Sequence, residues 1–214
     1  MAKLDPRALD LYVVTTGTLV SGRAHGEIAA AAIEGGATAV QLRAPELDDA
    51  RSLPLAEALA TMCGDAGVLF VVNDRVEVAV RSGAAGAHVG QQDDPAGARR
   101  RLGPERVLGV SVADADEARL AEVAGADYLG VTVFETSTKR DATPVGLDGL
   151  RRVVGETSLP VVGIGGIDRS NARSVLEVGA AGIAVISAVA AAPDPAEAVL
   201  ELRSLVEAFY EEHP

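Results

Sequence analysis

A chain of 214 residues with 48% hydrophobic but only 3% aromatic side chains is long enough to bury a core, which must consist mainly of Ala, Val, Leu and Ile. Its 31 acidic residues outnumber its 19 basic ones, and the net charge of -12 repels nucleic acid phosphates and anionic lipids, so we expect neither as a partner. The single cysteine, the absence of an apolar leader and the lack of a membrane-length apolar run predict a cytoplasmic protein.

Eight short apolar runs recur along the chain and predict eight β-strands. They are rich in Val and mostly apolar on both faces, which is typical of a parallel sheet whose faces are covered. In chain order they are residues 11–15, 39–43, 69–73, 87–90, 107–111, 128–132, 161–165 and 182–187.

Segments rich in Ala, Leu and Glu lie between these runs and have helical spacing. They include residues 25–34, 49–63, 74–82, 113–124 and 168–178. Several end in a similar glycine-containing phrase (EGGATAV, SGAAGAHV, AGADYLGV, VGAAGIAV), which indicates a left-handed glycine between a helix and the next strand. Eight such repeats without a linker predict a single-domain (β/α)8 barrel over residues 1–214. An open, doubly wound sheet is the alternative, although it would require a topological switch point.

Polar residues follow the predicted strands, where a barrel of this kind places its chemistry. Taken singly, Asp74 could cap the predicted helix at residues 74–82, and Asp93 or Asp94 could cap a helix with Pro95 at its first position. If the strand ends share one rim, Asp74 and Asp93 instead provide two carboxylates for Mg²⁺, which keeps several waters and binds substrate phosphates. The three histidines show no spacing typical of a zinc site.

Two later segments carry features of a phosphate site. The run VVGIGGI at residues 161–167 places glycines before a predicted helix, where backbone N–H groups can approach an anion. Residues 187–192 could form the short extra helix that completes such a site in a barrel. In the loop ETSTKRDATP at residues 135–144, Thr136, Thr138 and Lys139 could bind phosphate oxygens. The structural alternatives are glycines that serve core packing and a solvated surface loop.

The motifs QLR, VVND, HVGQQD, LGVS, TSTK, VVGIGG and VIS, in this order, resemble those of the thiamine-phosphate synthase family. The resemblance covers the chain from about the second strand to the eighth. It implies a magnesium-dependent transferase that joins a hydroxymethylpyrimidine diphosphate to a thiazole phosphate and releases pyrophosphate. It also implies a dissociative reaction, in which a stabilised pyrimidine cation is captured by the thiazole nitrogen, so the protein positions its substrates and supplies no nucleophile.

The resemblance also implies roles for individual residues. The Mg²⁺ ligands would be Asp74 and Asp93. The residues that contact the pyrimidine diphosphate would be Gln41, Arg43, Asn73, Ser111 and Lys139, of which Ser111 and Lys139 would act in catalysis. The residues that bind the thiazole phosphate would be Thr136, Ser137, Thr138, Gly166, Ile186 and Ser187. The expected partners are therefore two small phosphorylated substrates, and the sequence predicts no particular oligomeric state.

Departures from the family pattern keep two alternatives open. Pro45 stands where the family usually has Lys, and Thr132 and Glu135 replace the prolines that flank the TSTK motif. A non-catalytic, phosphate-binding barrel of the same superfamily would tolerate these changes. The related thiazole tautomerases use a His shortly after the serine of LGVS, and Ala113 at that place favours the synthase.

Overall fold

Eight parallel strands form a closed barrel in the computed structural model, which describes residues 4–17, 22–136 and 143–213. The strands are β1 (Leu11–Val14), β2 (Ala39–Leu42), β3 (Leu69–Asn73), β4 (Gly86–Val89), β5 (Val107–Val112), β6 (Tyr128–Thr132), β7 (Val161–Ile164) and β8 (Gly182–Val185). Each strand pairs with the next, and β8 pairs with β1. The predicted (β/α)8 barrel is confirmed, and the closed ring excludes an open sheet.

Helices follow the strands around the barrel. They are α1 (His25–Glu34), α2 (Asp49–Ala66), α3 (Val76–Ser82), α4 (Pro95–Leu102), α5 (Ala115–Val123), α6 (Gly146–Gly155), α7 (Ala172–Glu177), the short α8 (Ser187–Ala190) and α9 (Pro195–Glu212), and a 3-10 helix (Pro6–Leu9) precedes β1. The bounds predicted for α1 are confirmed, and α8 forms at the start of the predicted short segment. Among the described residues, no helix combines the length and the apolar character that crossing a membrane requires.

The start predicted for α7 was wrong. The helix begins at Ala172 and not at Asp168, because the intervening residues form a turn that side chains stabilise. The Asp168 N–H donates to Asn171 Oδ1 at 3.0 Å, and the Ser170 N–H donates to Asp168 Oδ1 at 2.8 Å. Asp and Asn side chains offer such local alternatives to helical hydrogen bonds.

The core has two layers, since successive side chains of a strand point to opposite faces. In β1, Leu11 and Val13 belong to the large apolar cluster that includes residues of the surrounding helices. Tyr12, between them in the sequence, belongs to the separate cluster inside the barrel. The inner cluster consists of Leu9, Tyr12, Ala39, Val71, Tyr128, Val162 and Ala184. Burial of both faces explains why the strands are nearly continuous apolar runs.

The repeated glycine phrase has the predicted conformation. Gly36, Gly83, Gly125 and Gly179 have φ angles of 86°, 77°, 91° and 99°, which lie in the left-handed region that residues with a Cβ rarely adopt. Each glycine ends a helix and directs the chain into the following strand. The repeat therefore encodes the helix-to-strand half of the barrel unit.

Gly182→Ala should destabilise the barrel, because a Cβ at the start of β8 would overlap the carbonyl group of Leu9. Relieving that overlap must shift backbone, so we expect a loss of about 2 kcal/mol in the free energy of unfolding, measured by urea denaturation. The matched control is Gly64→Ala within α2, where a Cβ has no neighbour within 4 Å. This change should stabilise the protein by about 0.5–1 kcal/mol through helix propensity. Equal effects of the two substitutions would contradict the packing argument.

Candidate active site

A cavity of about 390 Å³ opens at the carboxyl ends of the strands. Eight of the predicted site residues line it, namely Gln41, Arg43, Asn73, Asp74, Asp93, Ser111, Thr136 and Ile186. Gly166 and Ser187 are adjacent in sequence to the lining residues Gly165 and Ile186. Ser137, Thr138 and Lys139 lie outside the described residues. The structure therefore brings most of the predicted polar residues to one rim.

The sequence allowed Asp74 and Asp93 each to be a helix cap, and in the structure neither residue caps a helix. The residue that begins α3 as its N-cap is Arg75, and no described side chain caps that helix. The cap of α4 is Asp94, whose carboxylate accepts the Gly97 N–H at 2.9 Å. Asp74 has a φ of 60° and is the one non-glycine residue with positive φ in the described part of the chain. Such backbone conformations are concentrated at functional sites, where the surrounding structure holds them.

The carboxylates of Asp74 and Asp93 approach the same glycine. A Cβ on Gly90 would lie 3.2 Å from Asp93 Oδ2 and 3.9 Å from Asp74 Oδ1. The Gly90 N–H already donates to Asp93 Oδ2 at 2.7 Å, which fixes that carboxylate at the end of β4. Across ranges 4–17, 22–136 and 143–213 there is no group of three or more His, Cys, Asp or Glu that could hold a metal. A cation at this pair would therefore also need water or substrate oxygens, which is how Mg²⁺ commonly binds.

A continuous chain of hydrogen bonds crosses the floor of the cavity. Gln41 Nε2 donates to the Tyr12 hydroxyl at 2.8 Å, and the hydroxyls of Tyr12 and Tyr128 are 3.0 Å apart. The Tyr128 hydroxyl lies 3.0 Å from His88 Nδ1, and His88 Nε2 lies 2.9 Å from Ser111 Oγ. The chain thus connects the predicted pyrimidine contacts Gln41 and Ser111 through three buried rings.

Glycines on neighbouring strands make room for these rings. A Cβ on Gly109 would overlap Tyr128 and His88, and a Cβ on Gly130 would lie 3.0 Å from His88 Cε1. Burial raises the pKa of Tyr12 and of Tyr128, so both hydroxyls keep their protons at neutral pH. The aromatic rings therefore form a neutral, polar floor within an otherwise apolar barrel.

Sequence reasoning missed Tyr12, His88 and Tyr128 as parts of the site. The sequence did contain an indication of their role, because each of these residues is a polar ring within an apolar strand. Such rings are rare in this chain, which has only three tyrosines and three histidines. The histidines were weighed only as metal ligands. What the sequence could not show is that the three rings meet, since they belong to β1, β4 and β6.

A second hydrogen-bonded group fixes the backbone of Arg43. Thr15 Oγ1 lies 2.8 Å from His25 Nδ1, and His25 Nε2 lies 2.9 Å from Glu46 Oε1. The Arg43 N–H donates to Thr15 Oγ1 at 3.4 Å. Burial raises the pKa of Glu46, but the hydrogen bond with His25, a backbone hydrogen bond and the nearby charges together outweigh it and leave that pKa below its usual value. The group connects the ends of β1 and β2 with the start of α1.

The position of the missing lysine is bordered by two guanidinium groups. Pro45 lines a smaller cavity of about 320 Å³, and Arg43 and Arg75 line it as well. Arg75 pairs with Asp49 and donates to the carbonyl oxygen of Leu47, which holds its side chain beside the β2 and β3 ends. The chain therefore places a second arginine, whose charge is paired with Asp49, on the side of the rim where Pro45 stands.

The glycine run after β7 packs against the loop after β6. Gly165 and Gly166 have φ angles of 87° and 60°, and a Cβ on Gly166 would crowd the carbonyl oxygen of Glu135. The Phe134 N–H donates to the Gly165 carbonyl at 3.2 Å. Gly163 serves core packing, because a Cβ there would crowd Val175. The glycines hold the two loops together at the rim.

The position predicted for a helix N-terminus after these glycines was wrong, because α7 starts only at Ala172. The helix that does begin at the rim is α8, with exposed Ser187 as its first residue and Ile186 as its N-cap. No described side chain caps α8, and in the described part of the chain the N–H groups of Ser187 and Ala188 have no acceptor, whereas those of Val189 and Ala190 donate to the Ile186 carbonyl.

A larger depression of about 1070 Å³ lies at the opposite end of the barrel. It is wide open, and both of its arginines are engaged in ion pairs, since Asp10 pairs with Arg7 and Arg203, and Arg203 also pairs with Glu207. The amino ends of the strands in such barrels contribute to stability and not to chemistry. We therefore assign the chemistry to the smaller cavity at the carboxyl ends.

Known proteins show the same fold and closely related sequences. A family model described as thiamine monophosphate synthase matches residues 11–189. The thiamine-phosphate synthase of Moorella thermoacetica is 50% identical over 200 residues, which cover 92% of this chain and 95% of that protein. The thiamine-phosphate synthase of Chloroflexus aurantiacus is 48% identical over 198 residues, with 92% of each protein covered. The structure of thiamine phosphate pyrophosphorylase from Pyrococcus furiosus is 41% identical, with a TM-score of 0.88 over 95% of this chain and 98% of that one.

His25→Ala should destabilise the protein by about 2–3 kcal/mol, because it leaves the buried Thr15 hydroxyl and the Glu46 carboxylate without the ring that joins them. The free energy of unfolding in urea is the measurement. His213→Ala is the control, since that exposed histidine near the end of α9 only donates one hydrogen bond, from Nδ1 to the Phe209 carbonyl, and its loss should cost under about 0.5 kcal/mol. Similar losses for the two variants would refute the structural role given to His25.

Proposed function

The chain belongs to the thiamine monophosphate synthase family, and from this premise we propose that its rim cavity transfers a hydroxymethylpyrimidine group from its diphosphate to a thiazole phosphate. The protein is a transferase of thiamine biosynthesis that acts on small phosphorylated substrates. The observation that carries the assignment of the site is the convergence of Gln41, Ser111 and the Asp74–Asp93 pair on one cavity. A cytoplasmic location is part of the proposal, supported by the single, buried Cys63 thiol.

Asp74 and Asp93 are the proposed ligands of Mg²⁺. Their carboxylates approach Gly90 from two strand ends, and they leave coordination positions for water and for phosphate oxygens. When bound, the ion would neutralise negative charge on the departing pyrophosphate. The left-handed backbone of Asp74 supports this role, because strain of that kind is retained where geometry matters.

Arg43, Asn73 and Lys139 are the proposed contacts of the diphosphate. Arg43 and Asn73 line the cavity next to the carboxylate pair, and the arginine can donate two parallel hydrogen bonds to phosphate oxygens. Arg75, whose charge is paired with Asp49, lines the cavity beside Pro45, where the family has a lysine. These local cations allow a chain with a net charge of -12 to bind an anion.

Gln41 and Ser111 are the proposed contacts of the pyrimidine ring. During the reaction, the bond between the pyrimidine methylene carbon and the diphosphate oxygen breaks, and both electrons leave with pyrophosphate. The lone pair of the thiazole nitrogen then forms the new carbon–nitrogen bond. No side chain acts as a nucleophile, so the contribution of the protein is orientation, charge stabilisation and exclusion of water.

The thiazole phosphate is proposed to bind where the loops after β6, β7 and β8 meet. The residues assigned to it are Thr136, Ser137, Thr138, Gly166, Ile186 and Ser187. The N–H groups of Ser187 and Ala188 support this placement, because no described residue accepts a hydrogen bond from them and they lie next to the Ser187 hydroxyl. The phosphate would then lie on the opposite side of the cavity mouth from the carboxylate pair.

The thiazole tautomerase alternative is disfavoured by Ala113. This residue lines the cavity two positions after Ser111, where the tautomerases have a histidine, and its methyl group cannot transfer a proton. The decisive experiment incubates the purified protein with both substrates and Mg²⁺ and assays thiamine phosphate and pyrophosphate. We expect both products in equal amounts. Thiazole phosphate binding without product would instead identify a non-catalytic binding barrel.

Asp93→Asn should abolish most activity at limiting Mg²⁺, because it removes one charged ligand of the proposed ion. Asp94→Asn is the matched control, since the neighbouring residue caps α4 and Asn is an equally good cap. We expect Asp93→Asn to raise the Mg²⁺ concentration for half-maximal activity at least tenfold, with both variants as stable as the parent within about 0.5 kcal/mol. Unchanged magnesium dependence in Asp93→Asn would refute the metal role.

Ser187→Ala should raise the KM for thiazole phosphate about five- to tenfold, because it removes a hydroxyl donor from the proposed phosphate site. The KM for the pyrimidine diphosphate should stay within about twofold. Ser204→Ala on α9 is the control, since that hydroxyl donates only to the Leu200 carbonyl within its own helix. Steady-state kinetics with each substrate varied separately is the measurement, and an effect confined to the pyrimidine substrate would contradict the assignment.

A further inference from the structure

The hydrogen-bonded chain on the cavity floor contains three rings to which the proposed function gives no task. They are Tyr12, Tyr128 and His88, and they lie between Gln41 and Ser111. We propose that these rings are positioning residues that fix the direction of every hydrogen bond in the chain. Through them, the cavity presents a hydrogen-bond acceptor at Gln41 and a donor at Ser111. This inference deepens the proposed function and rests on it for the identity of the ligand.

The direction of the chain is set at Gln41. The amide nitrogen can only donate, and it lies 2.8 Å from the Tyr12 hydroxyl, which therefore accepts. Tyr12 is buried, so its single proton needs an acceptor, and we assign that proton to the oxygen of Tyr128, 3.0 Å away. Tyr128 in turn has its own proton left for His88 Nδ1. The carbonyl oxygen of Gln41 is thereby left to accept from a ligand.

The same direction continues through the imidazole ring. A neutral histidine whose Nδ1 accepts a hydrogen bond carries its proton on Nε2. His88 Nε2 lies 2.9 Å from Ser111 Oγ and therefore donates to it. Since Ser111 accepts on this side, its own proton is free to point into the cavity that Ser111 lines. The tautomer of His88 thus determines whether Ser111 presents its proton or only its lone pairs to the cavity.

The reverse direction would present the opposite pattern. It needs the Gln41 carbonyl against Tyr12 and the His88 proton on Nδ1, after which Ser111 would donate towards His88. A ligand in the cavity would then face hydrogen-bond donors at the Gln41 amide and only acceptor lone pairs at Ser111. Burial keeps both tyrosines protonated, and any other arrangement either loses one of the four hydrogen bonds or leaves a buried tyrosine proton without an acceptor among them.

The ligand that fits this pattern is a heteroaromatic ring with an N–H donor and a ring nitrogen acceptor. An exocyclic amino group can donate to Gln41 Oε1, and a ring nitrogen can accept from Ser111. An aminopyrimidine has both groups, whereas its hydroxy analogue, in the keto form, presents an acceptor in place of the amino donor. A buried polar site rejects a ligand that leaves its groups unpaired, so the direction of the chain determines specificity.

The tautomer of His88 tests the inference without any measurement of activity. In protein labelled with ¹⁵N-histidine, long-range ¹H–¹⁵N spectra at pH 8 distinguish Nε2–H from Nδ1–H, and His88→Gln assigns the signal among the three histidines. We expect His88 to carry its proton on Nε2. A proton on Nδ1, or on both nitrogens, would overturn the proposal. This result is independent of whether the protein forms thiamine phosphate, so failure of the proposed function is distinguished from failure of this inference.

Tyr128→Phe tests the effect on binding, because it interrupts the chain and conserves the ring. We expect the KM for the pyrimidine diphosphate to rise about tenfold while the KM for thiazole phosphate stays within about twofold, and the His88 spectrum should show mixed tautomers. Tyr210→Phe is the control, since it removes a hydroxyl that donates to the Ala181 carbonyl away from the cavity, and it should change neither KM. A folded Tyr128→Phe variant with an unchanged KM and tautomer would refute the positioning role. If the Tyr128→Phe variant does not fold, the His88 tautomer measured in the parent protein is the test of the positioning role.

Discussion

The pairing of β8 with β1 is the constraint on which the rest of the structure depends. Leu11, Tyr12 and Val13 align with Ile183, Ala184 and Val185, and these hydrogen bonds close eight parallel strands into a ring. In a closed parallel ring, the carboxyl end of every strand faces the same rim. Residues that are far apart along the chain, such as Gln41 and Ser111, therefore meet above one cavity without any single loop having to hold them both.

Closure also requires that side chains fill the inside of the barrel. In this chain the filling includes aromatic rings as well as aliphatic side chains. Gly109 and Gly130 leave the space that Tyr128 and His88 occupy. The apolar lower part of the barrel supports the rings, while their polar atoms are satisfied by one another. Because buried polar groups are costly unless they are paired, these rings need one another as hydrogen-bond partners, and this requirement is the basis of the direction proposed for the chain.

The electrostatics of the site are local. A net charge of -12 repels phosphates at long range, yet Arg43 and Arg75 border the cavity region where the diphosphate is proposed to bind. The carboxylates of Asp74 and Asp93 would add to the repulsion unless a divalent cation accompanied the substrate. Binding of the metal and of the anionic substrate would then be coupled, since each lowers the electrostatic cost of the other. The Thr15–His25–Glu46 group contributes by fixing the backbone that carries Arg43.

The sequence by itself determined the barrel, because apolar runs, helical spacing and left-handed glycines are local properties that repeat with each strand and helix. It also predicted that Asp74 and Asp93 belong to one rim, since Asp74 directly follows one strand and Asp93 lies in the loop after the next. Only the tertiary structure decided that Asp94 caps α4, that α7 begins at Ala172, and that Tyr12 meets Tyr128 across 116 positions of sequence. Such contacts depend on strand register and on which side chains point inward at the same height, and these are properties of the closed ring that no segment of the chain carries alone.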